Sequence, residues 1–169
     1  MKIKVLLTSF DIWKPHHKSN SSDDLLSLIF FQNFNNYSLI FLRKLPVDVQ
    51  RATKIVIHKI EEIKPDLIIC CGMAEKREIL TIESQASCGE VVMKTSIDLA
   101  ELVVGLDMTE ISNDAGKFVC EGLYYSVLKY LDLSYLKSKC IFLHVPILTE
   151  KNRDLIVGDF IKLLSLFSQ

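Results

Sequence analysis

The chain has 169 residues, with 20 Lys plus Arg against 21 Asp plus Glu and a formal net charge of −1. That balance excludes a surface built for nucleic-acid phosphates or anionic lipid, and the length suits one domain with a real hydrophobic core. An apolar fraction of 49% with 24% charged residues, six Gly and four Pro excludes a disordered or collagenous chain.

In chain order, residues 2–10 read as a buried strand; Thr8, Ser9 and Asp11 interrupt the apolar run too early for a signal peptide. Ser21 or Ser22, with Asp23 and Asp24 behind it, is the N-cap signal for a helix to about residue 32, and residues 37–45 read as a second strand. Ala52, Val56, Ile60 and Ile63 make one helical stripe stopped by Pro65, after which residues 67–71 form a third strand ending at Gly72. Residues 79–86 alternate as a fourth strand, with Leu80 and Ile82 facing one way and Thr81 and Glu83 the other. Weaker signals between residues 88 and 112 give a short strand, a helix around 98–104 and a strand around 109–111. Beyond Gly116, the positions Cys120, Leu123, Tyr124, Val127, Leu128 and Leu131 mark a buried helical face. Residues 140–145 are a further strand, and a last helix turns Ile156, Phe160, Leu163, Leu164 and Phe167 inward. This alternation predicts an α/β fold: a three-layer α/β/α sandwich around a mostly parallel twisted sheet, spanning residues 1–169 as a single domain.

Apolar runs such as Leu67–Met73 are far shorter than the ~18 residues of a membrane span. Five cysteines, an odd number, fit a reducing compartment, so a cytoplasmic location is expected. Cys70-Cys71 and His16-His17 are adjacent pairs without C-x₂-C or H-x₃-H spacing, so no metal is expected. Neither glycine-rich nucleotide motif is present, and no cofactor is expected.

A cysteine, a histidine and a carboxylate remain as candidates for nucleophilic chemistry. Cys120 follows the turn-and-cap sequence Ser112-Asn113-Asp114-Ala115-Gly116. It therefore falls near a helix N-terminus, where the macrodipole and free N–H groups lower a thiol pKa and can hold an oxyanion. The same position lies on the apolar stripe, where cysteine also serves as a small core residue. His144 stands at the end of a strand just before Pro146, where α/β sheets place their ligands, and imidazole is the natural base for a thiol; a core histidine is the alternative. Glu83, in mid-strand, needs a basic partner if enclosed and is a plain surface glutamate if not. Arg77 is either a solvated charge or a group that stabilises an anion.

These residues together resemble the pyroglutamyl peptidases I, also called pyrrolidone carboxyl peptidases, a cysteine-peptidase family. Leu7-Thr8-Ser9-Phe10-Asp11 is similar to the family's L-V-T-G-F-D start, and Leu45-Pro46-Val47 and Lys64-Pro65-Asp66 to its L-P-V and K-P-D segments. Gly72-Met73-Ala74, Arg77 and Thr81-Ile82-Glu83 resemble G-L-A-x-x-R with T-V-E. The segment from Ser112 to Cys120 resembles S-N-T-A-G-T-Y-V-C, and Phe142-Leu143-His144-Val145-Pro146 resembles F-I-H-V-P. The resemblance implies Cys120 as nucleophile, His144 as base, Glu83 as the acid that orients it, and Arg77 near the developing oxyanion. It implies Phe10 and Trp13 at the pyrrolidone ring, an N-terminally blocked peptide as substrate, and removal of pyroglutamate through an acyl-thioester, without metal, nucleic acid or membrane.

The pattern departs from the family in several places, an abbreviated segment after Pro146 among them. Ile12-Trp13-Lys14-Pro15 stands where the family has P-F-G-G, and Lys76 stands where glycine is common. The interval from Glu83 to Cys120 is short and lacks the D-N-x-G and G-P-A-A-Y-x motifs. That segment lies over the family's active site and contributes to subunit contacts, so its shortness weakens the case for a homo-oligomer. The alternative function is a catalytically weakened relative that binds a small acyl-amide or a protein partner.

Overall fold

In the computed structural model, which describes residues 2–167, the chain begins β1 (Ile3–Phe10), α1 (Ser21–Phe30), β2 (Tyr37–Leu45), α2 (Val49–Ile63) and β3 (Leu67–Met73). It continues with β4 (Leu80–Glu83), β5 (Gln85–Cys88), β6 (Val91–Lys94), α3 (Leu99–Leu102) and β7 (Thr109–Ser112). It ends with α4 (Val119–Leu133), β8 (Lys139–Val145) and α5 (Arg153–Leu166). Six strands form one sheet in the order β2-β1-β3-β8-β4-β7, and β5 pairs with β6 in a separate hairpin. Only the β4–β8 pairing in the large sheet is antiparallel; the other four are parallel.

The central strands are covered on both faces, which is why β3 is a nearly unbroken buried run. Alternation along each strand divides the core. Val5, Leu7, Ile69, Cys71, Ile141 and Leu143 face a cluster completed by α1 and α5. Leu6, Ile68, Cys70, Cys140 and Phe142 face the opposite cluster, completed by α2 and α4. This is the expected three-layer sandwich. No helix among the described residues is long and apolar enough to cross a membrane.

Two local expectations change. The fourth strand ends at Glu83, and residues 85–88 leave the sheet to pair with β6, where Ser87 donates from its N–H and its hydroxyl to Glu121 on α4. The N-cap of α1 is Asn20, whose side chain accepts from the Ser22 N–H. The serines serve elsewhere: Ser21 donates to the Val145 carbonyl at the end of β8, and Ser22 donates to the Asn20 side chain. At the sheet's far edge, buried Asp159 on α5 accepts from the Met108 N–H at 2.7 Å and the Thr109 hydroxyl at 2.8 Å, anchoring the start of β7.

Candidate active site

On the α4 side of the sheet, the carboxyl end of β8 presents Phe142 and then His144, and β4 runs beside it in the reverse direction. The register sets Thr81 opposite His144 and Glu83 opposite Phe142. The alternation that put Thr81 and Glu83 on one face therefore carries them toward the imidazole. Glu83 is fully buried, and its Oε1 lies 2.8 Å from His144 Nδ1. A carboxylate there takes a proton-bearing Nδ1, which leaves Nε2 as the basic nitrogen.

Arg77 holds the same carboxylate: its Nη1 lies 2.5 Å from Glu83 Oε1 and also donates to Thr81 Oγ1, while its Nη2 donates to the Asp114 carbonyl at 2.7 Å. The guanidinium thus ties the acid to the loop that leads into α4. Burial alone would raise the Glu83 pKa, but the His144 hydrogen bond, with Ser112 and Arg77 also contributing, brings it below the ordinary value. Tyr124 on α4 donates to the Glu83 main-chain carbonyl at 2.9 Å. The second carboxylate oxygen, Oε2, is buried without a hydrogen-bond partner.

Cys120 enters from above as the second residue of α4. The N-cap residue, Phe118, makes no side-chain cap, so the first N–H groups of the helix keep their donors free. The thiol sits over Gly72 of β3, so closely that a Cβ built there would lie 2.5 Å from Sγ. Gly72 pairs with His144 across β3 and β8, so the thiol lies over the strand position next to the histidine. No hydrogen bond joins them among the described residues. The thiol pKa is also not depressed. Burial, with the neighbouring Cys70 and Glu83, pushes it up to about 12 against the opposing pull of its own backbone and Arg77. Desolvation outweighs the helix terminus here.

The two aromatic candidates separate. Phe10 is 2% exposed and packs into the α2/α4 core, whereas Trp13 is 45% exposed. The Trp13 ring lies 5.7 Å from Phe118, centroid to centroid, two residues before Cys120. Sequence reasoning missed Phe118, Gly72 and Tyr124. For Gly72 the signals were a glycine at a strand end and its place in the segment resembling G-L-A. It also missed a grouping on the rim: His16, His17 and Glu75, whose ligand-capable atoms lie within 4.8 Å of one another. A cavity of about 500 Å³ lies at the opposite end of the strands, lined by residues including Lys64, Asp66 and Lys139, away from this constellation.

Comparison with known proteins gives the arrangement its relatives. The pyrrolidone-carboxylate peptidase of Brachyspira hyodysenteriae is 28% identical, over 90% of this chain and 87% of its own length. That of a Thermoanaerobacter species is 28% identical, over 86% and 83%. The solved pyroglutamyl peptidase I of Bacillus amyloliquefaciens superposes with a TM-score of 0.86 at 21% identity, covering 99% of this chain and 96% of that one. A mutant pyrrolidone carboxyl peptidase from Pyrococcus furiosus gives 0.84 at 20%, covering 97% of each. The family model described as pyroglutamyl peptidase matches residues 3–90 and 100–159, and its one internal gap falls in the shortened interval between Glu83 and Cys120. With most of its length matched to that model, the chain belongs to the pyroglutamyl peptidase family.

Proposed function

We propose that this protein is a cysteine omega-peptidase that removes N-terminal pyroglutamate from peptides, with Cys120 as nucleophile, His144 as general base and Glu83 as the acid that fixes the imidazole. One observation carries the reading: three separate elements bring together a buried Glu83–His144 pair and a thiol at an uncapped helix N-terminus, over the strand position opposite the histidine.

With its pKa near 12, the thiol of the free enzyme is neutral. Its proton therefore passes to His144 Nε2 as the sulfur attacks the substrate carbonyl, rather than residing on a preformed imidazolium. The first N–H groups of α4 receive the developing oxyanion. His144 returns the proton to the departing amine, leaving an acyl-thioester on Cys120, and then activates the water that hydrolyses it. Arg77 acts as a positioning residue, because its guanidinium is engaged by Glu83, Thr81 and the Asp114 carbonyl. Trp13, paired with Phe118, supplies an aromatic wall for the pyrrolidone ring, with Phe10 as the second aromatic residue that the family resemblance assigns to it.

The test is hydrolysis of a fluorogenic pyroglutamyl amide. Cys120→Ala abolishes it and His144→Ala lowers it at least ~10²-fold, the usual scale of lost general-base help. Equal rates for wild type and Cys120→Ala overturn the assignment. The raised thiol pKa favours one second reading, a weakened relative that binds an acyl-amide, which saturable binding without turnover would reveal.

A further inference from the structure

We propose that His16, His17 and Glu75 form a binding site for a divalent transition-metal ion, zinc in particular, on the rim of the active site. A turn in which the His17 N–H bonds the Lys14 carbonyl at 3.0 Å folds the two adjacent histidines onto one carboxylate. Both imidazoles meet Glu75 Oε2 through Nε2, at 3.5 Å for His16 and 2.8 Å for His17, and their ring centroids are 4.4 Å apart. A tetrahedral zinc with bonds of about 2.0–2.1 Å needs ligand atoms roughly 3.3–3.5 Å apart. The His16 edge has that length, and the His17 edge reaches it by opening about half an ångström.

The donor set of two imidazoles and a carboxylate, with a fourth position for water, suits zinc, nickel or cobalt better than calcium or magnesium. Lys14 and His17 both contact the Glu75 carboxylate and fix its orientation. The His17 side chain is only 6% exposed, so its ring is held in place beside Glu75 rather than swinging free in solvent. Lys14 bonds the other oxygen, Oε1, so an ion on Oε2 keeps that contact as support for its carboxylate ligand.

The site carries its own reporter. Trp13 is the protein's single tryptophan, its ring lies 6.3 Å from that of His17, and Lys14 Nζ sits 4.7 Å over it. The experiment titrates Co²⁺ into the full-length, chelator-stripped protein and follows tryptophan fluorescence and the visible spectrum. One equivalent should quench Trp13 saturably, reversibly with chelator, and without a sulfur-to-cobalt charge-transfer band. The response should be unchanged in Cys88→Ser and at least ~10-fold weaker in His16→Gln and Glu75→Gln. His16 has a 66% exposed side chain, so its substitution does not threaten folding. Three results overturn the site: no saturable quench, a quench of undiminished strength in both variants, which places the ion elsewhere, or a thiolate band showing that cysteine holds the ion.

Discussion

Replacing Gly72 by alanine adds one methyl group between the Cys120 thiol and the Phe142 ring. The added carbon would lie 2.5 Å from Cys120 Sγ and 2.9 and 3.1 Å from two atoms of the Phe142 ring, where ordinary contact is about 3.5–4.0 Å. Phe142 cannot withdraw, because it is fully buried, with Tyr124 at 5.6 Å on one side and His144 at 4.9 Å on the other, centroid to centroid. The thiol must therefore move by about 1 Å, a displacement that costs a reaction about 10²-fold, or ~2.7 kcal/mol. The strain of overpacking adds about 1–3 kcal/mol of lost stability. Activity and urea unfolding, measured on the same preparations, separate the two effects. Most of the loss should fall on kcat, because the displaced atom bonds to substrate only during the reaction. Gly158→Ala is the control: it lies inside α5 with nothing within 4 Å of the added carbon, and should gain about 0.5–1 kcal/mol without touching activity. Near-wild-type activity in Gly72→Ala with a stability loss below about 1 kcal/mol would refute the close approach of thiol and strand.

Glu83→Gln removes the charge that orients His144 and should lower kcat at least ~10²-fold in the pyroglutamyl-amide assay; a loss under threefold would contradict the 2.8 Å contact as a functional one. Arg77→Met strips the buried carboxylate of its permanent cation and frees the Asp114 carbonyl, so the urea midpoint should fall by the equivalent of about 1.5–3 kcal/mol. Alkylation of Cys120 by iodoacetamide, read by peptide mass spectrometry, should be slow near neutral pH and climb steadily with pH, since its pKa is pushed up to about 12; a plateau near pH 7 would show a preformed ion pair instead. Asp23 and Glu83 both titrate below their ordinary values of 3.8 and 4.5, each because partner hydrogen bonds, from Arg43 and His144 respectively, outweigh the burial that would raise them. A carboxylate depressed in the folded state binds its proton more readily when unfolded, so this stability is complete above about pH 5 and is lost as the pH falls through the folded values; Asp23→Asn should flatten that acid limb of the urea midpoint.

Local patterns carried most of the fold. Period-two alternation in Leu80, Thr81, Ile82 and Glu83 and the i, i+3, i+4 run from Leu123 to Leu128 are statements about which side is buried, and burial decides both. The stretch from residue 79 to 86 misled for a tertiary reason: Ser87 finds its acceptor on α4 rather than on the sheet, so the strand breaks at Ser84. The cap of α1 moved to Asn20 because Ser21 is drawn to the end of β8, 124 residues away. The candidate site was legible where its residues stand in recognisable segments, as Cys120, His144 and Glu83 do. It was illegible where a grouping rests on contact between distant positions. Glu75 lies 58 residues from His17, and no spacing rule connects them.

The reversed strand explains how the sheet sets Glu83 and His144 side by side. Had β4 run parallel to β8, the residue two past the level of His144 would project beyond the strand ends, toward solvent. Running antiparallel, β4 passes Thr81 at the level of His144 and then descends, so Glu83 lies level with Phe142 inside the sheet. The carboxylate therefore meets Nδ1, and Nε2 is left without that partner. Burial there strengthens its interaction with the imidazole, because little water intervenes. The same buried charge also raises the Cys120 pKa. In the proposed reaction the thiol therefore keeps its proton until a carbonyl arrives, so that attack on the substrate and proton transfer to His144 form a single event.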